Sequence, residues 1–222
     1  MESLFTEAHG VVAAFWTNDA WEIREALATS GAWPAGLGAM LVAAGLLLVV
    51  YRLIPFVDQH LERTVMVWSY LIIAGVIFVE VFRRFVLSQQ VPWSTTLPPF
   101  LFLIMTWFGC SLNIRLRSHL AFSEFRLHLG RRGQLACLIL DAVLWLGFCW
   151  VVVVTSARVT ANSAANFQIL LGTNDVLQWW FLISVPIAFT LMATRVVENL
   201  IDDINNYRSG RPLIKLATIG AD

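Results

Sequence analysis

Charge is scarce in this chain. Only 14% of its 222 residues are Asp, Glu, Lys or Arg, and the two signs cancel to a formal net charge of zero, which gives no footing for a nucleic-acid partner. Cysteine is scarcer. Cys110, Cys137 and Cys149 sit within or at the ends of apolar segments, without the spacing of a metal site or a disulfide framework, and read as small packing residues. The four histidines, His9, His60, His119 and His128, fall outside the apolar segments, where they are badly placed to ligate a membrane haem. There is no Gly-rich phosphate loop, no nucleophile with an adjacent base and no cluster of metal ligands, so neither enzymatic activity nor a bound cofactor or metal is expected. Apolar periodicity finds no internal repeat. No long apolar segment is broken in its middle by the Gly/Pro or polar clusters that mark substrate and ion sites in secondary transporters. Pro186 comes nearest, and a kink is its expected effect.

What is abundant is apolar side chain: 58% of residues are hydrophobic and the mean hydropathy is +0.71, outside the range of a water-soluble globular domain. Crossing a hydrocarbon core takes roughly 20 residues at about 1.5 Å each. Five segments qualify, near Pro34 to Phe56, Val65 to Leu87, Leu97 to Arg115, Leu135 to Ser156 and Val176 to Val197. Each must be helical, because a lone spanning segment has no other way to pair its backbone N–H and C=O groups in lipid. The fold class is therefore an all-α polytopic membrane bundle. Glu2 and Glu7 stand where a cleavable signal peptide would carry basic residues, so the first span is expected to be retained.

Basic residues fix the expected orientation. With the N-terminus outside, Arg52, Arg63, Arg115, Arg117, Arg126, Arg131, Arg132, Arg195, Arg208, Arg211 and Lys215 lie inside, against Arg24, Arg83, Arg84 and Arg158 outside. Trp16, Trp21, Trp33, Trp93, Trp179 and Trp180 then gather at the outer interface, as interfacial tryptophans do. The Arg-rich loop from Arg115 to Arg132 is explained by this topology and by anionic headgroups.

Three short amphipathic stretches lie between or beside the spans. Asp19 followed by Glu22 resembles a capping box, and Trp16, Ala20, Ile23 and Leu27 recur at helical spacing, predicting a helix on the outer membrane surface or against a partner. Phe122, Phe125 and Leu129 predict a short helix in the inner interface, ended by Gly130. Val197, Leu200, Ile201 and Ile204 continue the last span past the bilayer until Gly210 and Pro212 stop it.

Ionisable residues within spans are where function would ordinarily be sought, since each costs on the order of 3 kcal/mol to insert. Glu80 is followed at i+3 and i+4 by Arg83 and Arg84, spacings that allow neutralisation on one helix face or leave an arginine for a neighbouring protein. Asp141 has no basic residue one turn away and needs a partner from elsewhere, with Arg115 or Arg117 expected at similar depth. His119 is expected to cap the inner end of a helix or meet headgroups.

The run Val79-Glu80-Val81-Phe82-Arg83-Arg84-Phe85, the Pro92-Trp93-Ser94 lead-in, the stretch Gly109 to Arg115, His119-Leu120 and Val185-Pro186-Ile187 together resemble the small membrane subunit of tripartite ATP-independent periplasmic (TRAP) transporters, the DctQ-like small permease. The similarity spans roughly Val65 to Asn199. Members commonly carry an acid just after the Trp-Ser pair, where this chain has Thr95 and Thr96, so no role for that acid carries over. The resemblance implies a four-span core at 65–199, to which this chain adds a span at 34–56, an outside segment at 1–33 and a cytoplasmic tail at 200–222. It further implies a non-catalytic subunit of the bacterial inner membrane. Such a subunit scaffolds a large DctM-like permease and helps dock a DctP-like periplasmic binding protein during ion-driven uptake of an organic acid or related solute. Arg83, Arg84 and Trp93 would then serve docking or partner contact, and Glu80, Arg115, His119 and Asp141 internal structure. An integral-membrane anchor of a redox complex is the alternative that helix count and aromatic content equally permit. A free-standing small transporter fits less well, for want of an intramembrane polar pathway.

Overall fold

A computed structural model describes residues 2–117, 126 and 128–213. The helices are α1 (Glu2–Thr17), α2 (Ala20–Ala28), α3 (Ala32–Leu53), α4 (Pro55–Val86), α5 (Leu97–Arg115), α6 (Arg131–Ala165), α7 (Trp179–Leu182) and α8 (Ser184–Arg208), with a 3₁₀ turn at Pro92–Ser94. An isolated antiparallel bridge joins Ile169 to Leu177 in the loop between α6 and α7. Five stretches are long and apolar enough to cross a membrane: α3, α4, the 3₁₀ turn with α5, α6, and α7 with α8. The protein is an all-α, multi-pass membrane bundle.

Several helices outrun the apolar segments that announce them. Pro55 suits the first turn of a helix, where no N–H is needed, so α4 starts one residue after α3 ends. Val57, Leu61 and Val65 then continue a helical stripe packed against Tyr51, Phe108, Ala188 and Leu191. Hydropathy hides this first part of α4 because Asp58, His60, Glu62 and Arg63 are interleaved with the stripe. Gly130 proves to be the residue that precedes α6, and α6 itself continues to Ala165. The helix expected from Phe122 and Phe125 lies outside the described residues.

The last span is in two pieces. It divides at Ile183, which leaves Pro186 in the first turn of α8, and Thr190 Oγ1 donates to the Pro186 carbonyl at 2.7 Å. A proline in a first turn removes no helical hydrogen bond, so the discontinuity lies before Pro186 rather than at a mid-helix kink.

Helix α8 is the centre of the bundle. Ala188, Phe189, Leu191, Met192, Ala193, Thr194, Arg195 and Val196 are all buried. Phe189 meets Trp107 of α5 at 4.7 Å and Phe148 of α6 at 5.7 Å between ring centroids. Helix α4 is the opposite case: its buried residues are Glu62 and Ser69, both polar, and beyond Val65 most of its large apolar side chains point outward.

At one end of the bundle, α1 and α2 pack on the start of α3 and the last turns of α6. Asp19 caps α2 by accepting the Trp21 N–H at 2.8 Å. Trp16 belongs not to α2 but to α1, a separate helix joined to it through Asn18 at φ +55°. Arg158 of α6 donates to the carbonyls of Leu27 (2.7 Å) and Thr29 (3.1 Å), and Trp150 Nε1 donates to the Trp33 carbonyl at 2.9 Å. This is the loop-rich end; the other is the charged end.

Candidate functional site

At the charged end Arg195 of α8 is enclosed by carboxylates. Its Nε and Nη2 reach Oε1 and Oε2 of Glu62 at 2.6 and 3.0 Å, a two-point contact, and both side chains are completely buried. Nη1 donates to Asp58 Oδ1 and, at 2.9 Å, to Glu198 Oε2; Nη2 also reaches the Asp58 carbonyl at 2.8 Å. All five guanidinium protons are thereby used. The Tyr51 ring covers one face of the cation, 4.0 Å from centroid to Cζ. Asp58 is shared, its Oδ2 accepting from Arg115 at 3.1 Å. Two arginines thus face three carboxylates, leaving one negative charge in excess.

Arg117, two residues on and just past the end of α5, donates to Asp203 at 2.6 Å and to the side chain and carbonyl of Asn199 at 3.3 and 3.0 Å. Asn199 in turn donates to the Ile114 carbonyl at 2.8 Å. Arg131 closes the end of α8 by donating to the carbonyls of Asn206, Tyr207 and Arg211 at 3.1, 3.0 and 3.2 Å.

These placements correct the expected pairing of Asp141. Arg115 is committed to Asp58 and Arg117 to Asp203, while Arg126 lies 3.5 Å from Asp141. The antiparallel-hairpin argument failed because acids from α4 and α8 reach the end of α5 first. His119 lies outside the described residues. Sequence reasoning misses the buried Arg195 cluster, because Arg195 enters there only as a marker of orientation and Asp58 and Glu62 fall between the first two expected spans. Its signal was an arginine inside the last predicted span and two acids at i and i+4 beside an apolar stripe.

At the loop-rich end Glu80 does not pair with the arginines that follow it. Its Oε2 accepts from the Val91 N–H at 3.4 Å, and its Oε1 is buried with no hydrogen-bond partner among the described residues. Arg83 turns to Gln89 at 3.3 Å and leaves its Nε buried and unpaired. Arg84 is exposed and has no ion-pair partner among the described residues. Beside them an open cleft of about 630 Å³ lies between the 3₁₀ turn and the loop before α7, lined by Pro92, Trp93, Leu97, Leu170, Gly172 and Phe181 among others. Thr96 Oγ1 ties the two walls by donating to the Leu171 carbonyl at 2.8 Å. Gly172, at φ +80°, lies so near Pro92 that a Cβ would stand 2.5 Å from the Pro92 carbonyl carbon. Trp93 is partly exposed at the rim. Among the described residues no group of three or more His, Cys, Asp or Glu is placed to hold a metal ion.

No curated protein matches the chain. The family described as "Tripartite ATP-independent periplasmic transporters, DctQ component" matches residues 73–206, from the middle of α4 almost to the end of α8 and more than half of the sequence. Both ends of the site region, Glu80 to Trp93 and Arg115 to Asp203, fall inside that match, whereas α1, α2, α3, Asp58 and Glu62 precede it. The chain belongs to the DctQ component family of the tripartite ATP-independent periplasmic transporters.

Proposed function

We propose that this protein is the small membrane subunit of a TRAP-type secondary transporter, which braces a large DctM-like permease and contributes to the surface where a DctP-like binding protein delivers its solute. Family membership carries the reading, and the outward face of α4 supports it. That helix packs its apolar side chains on little of its own chain, so Trp68, Phe78, Phe82 and Phe85 remain free for lateral contact. The excess of Lys and Arg at the charged end supports a cytoplasmic position for that end, with the N-terminus and the cleft on the periplasmic side of the inner membrane. Arg83, Arg84 and Trp93 then border the docking surface. Glu80, Arg115 and Asp141 serve the subunit's internal structure, as does His119. The solute is an organic acid or a related compound, and the transport step belongs to the large subunit.

The test is purification of the tagged chain from its native membrane in mild detergent, with identification of what accompanies it. Recovery of a large polytopic permease is the expected result. Recovery of redox subunits with a haem absorbance would replace this reading with that of a redox-complex anchor.

A further inference from the structure

Helix α1 lies outside the family match and has three distinct sides. One is seated on the protein: Val11 and Ala14 are buried, and the Glu7 carboxylate accepts from the Ser30 hydroxyl at 2.5 Å and the Gly31 N–H at 3.0 Å. The second is apolar and bare. Phe5, Val12 and Trp16, at i, i+7 and i+11, are 72%, 52% and 86% exposed, with Leu4 and Phe15 along one edge of the stripe. The third is formed by Ser3, Thr6, Gly10, Ala13 and Thr17, all small or polar and exposed, and His9 stands between it and the stripe.

The level of α1 follows from its attachments. The apolar run of α6 begins at Leu135 and ends at Val154, about the length that spans a hydrocarbon core, and polar residues follow from Thr155. Trp150 and Val154, in the last turn of that run, pack against Trp33 and Ala32 at the start of α3. Val11 of α1 lies in the same cluster as Ala32 and Val154, and Glu7 binds the residue just before α3. The middle of α1 therefore sits at the membrane boundary. Its apolar stripe keeps the same character over about 17 Å of helix. A helix standing along the membrane normal would carry one end of such a stripe into water, so α1 lies along the boundary plane.

We infer that α1 is an interfacial helix whose Phe5, Val12 and Trp16 stripe is buried in the lipid leaflet at the start of α3, while its third side faces water. The stripe continues the lipid-facing surface of the spans, and Trp16 has the amphipathic ring favoured at this depth. Through Glu7 the helix holds the start of α3 at a fixed height in the bilayer. This inference rests on the protein's being multi-pass and not on its transport partners.

The test places nitroxide labels singly at positions 5, 12, 16, 10 and 13 of the full chain, with Cys110, Cys137 and Cys149 replaced by alanine; a side chain at position 10 meets open space. Membranes are converted directly to lipid nanodiscs so that associated subunits stay bound. Collision with oxygen should exceed collision with a water-soluble nickel chelate at 5, 12 and 16, and the ratio should invert at 10 and 13. Nickel-chelate preference at all five positions would overturn the inference, as would loss of access to both agents at 5, 12 and 16, which would mean a protein partner there. The unsubstituted chain provides a second measurement. A diazirine probe in the acyl chains should mark the peptide carrying Phe5, Val12 and Trp16, and absence of that label would overturn the inference independently.

Discussion

Arg195 and Glu62 lie 133 residues apart in sequence, both fully buried, and meet through two contacts of 2.6 and 3.0 Å. The Cα traces of their helices, α8 and α4, nowhere approach within 8 Å among the described residues. The Arg195 side chain therefore spans a gap the backbones do not close, beside the apolar contacts of Val57, Leu61 and Val65. Helix α4 otherwise leans mainly on α5, so the direction in which it presents its outward face depends on this arginine. Glu62 and Asp58 lie one helical turn apart on α4, which lets one guanidinium hold both.

Replacing Arg195 with methionine should be among the most damaging single changes in the protein. It leaves the Glu62 carboxyl without its cation in a completely buried position, a loss of about 3–5 kcal/mol for a broken buried pair. Arg195→Lys should rescue little, since one ammonium cannot supply five planar donors. Arg195→Met combined with Glu62→Leu should recover part of the loss, because the uncompensated charge is gone while Arg115 still holds Asp58. Unfolding midpoints of the four proteins in one detergent check this; equal stability of the single and double variants would refute it.

Arg117 and Arg115 are neighbours at the end of α5, yet their removal should have unequal effects. Arg117→Ala strands Asp203, which is nearly buried, and removes two bonds to Asn199, so about 2–3 kcal/mol is expected. Arg115→Ala leaves Asp58 bound to Arg195, and this partly exposed pair should contribute only about 1 kcal/mol. A denaturation series in which Arg115→Ala is the worse variant would show that the order of importance is reversed.

Five spans were legible because uninterrupted apolar length is a one-dimensional property. Tertiary pairing is not. Asp141 was read as needing a partner from elsewhere, but which arginine answers depends on helix ends that hydropathy places only approximately. The start of α4 was missed for a related reason: Asp58, His60, Glu62 and Arg63 lower the local hydropathy although Val57, Leu61 and Val65 keep the helical period. In the same way Trp16 reads as part of the α2 stripe, since the turn at Asn18 adopts a left-handed conformation that the Trp16, Ala20, Ile23 pattern passes straight through. At the loop-rich end the i+3 and i+4 spacing from Glu80 was available for ion pairs. The chain instead folds back at Val91 and Gln89 and offers both Glu80 and Arg83 other partners.

Gly172→Ala should open the cleft at the loop-rich end. The substitution combines a positive φ with a contact of 2.5 Å to the Pro92 backbone, where neither side can yield by rotating a side chain. A loss of about 2 kcal/mol or more is expected, felt locally as loss of the Thr96 to Leu171 tie. Gly75→Ala, in the exposed interior of α4 with open space at the new methyl, serves as the control and should be neutral or slightly stabilising. Amide exchange of the 166–178 loop should rise in the first variant alone.

Arg84→Ala should separate docking from stability. Arg84 is exposed and unpaired, so its removal should change folding stability by no more than about 0.5 kcal/mol. If it attracts a negatively charged surface of the binding protein, the variant needs more binding protein to reach half-maximal uptake, and Arg84→Glu needs more still. The differences should shrink as ionic strength rises, since an exposed charge at this distance is screened by salt. Uptake into proteoliposomes carrying the full complex, titrated with binding protein at two salt concentrations, makes the measurement. Identical titration curves for all three proteins would remove Arg84 from the docking surface and leave Trp93 and the cleft as the remaining contacts to examine.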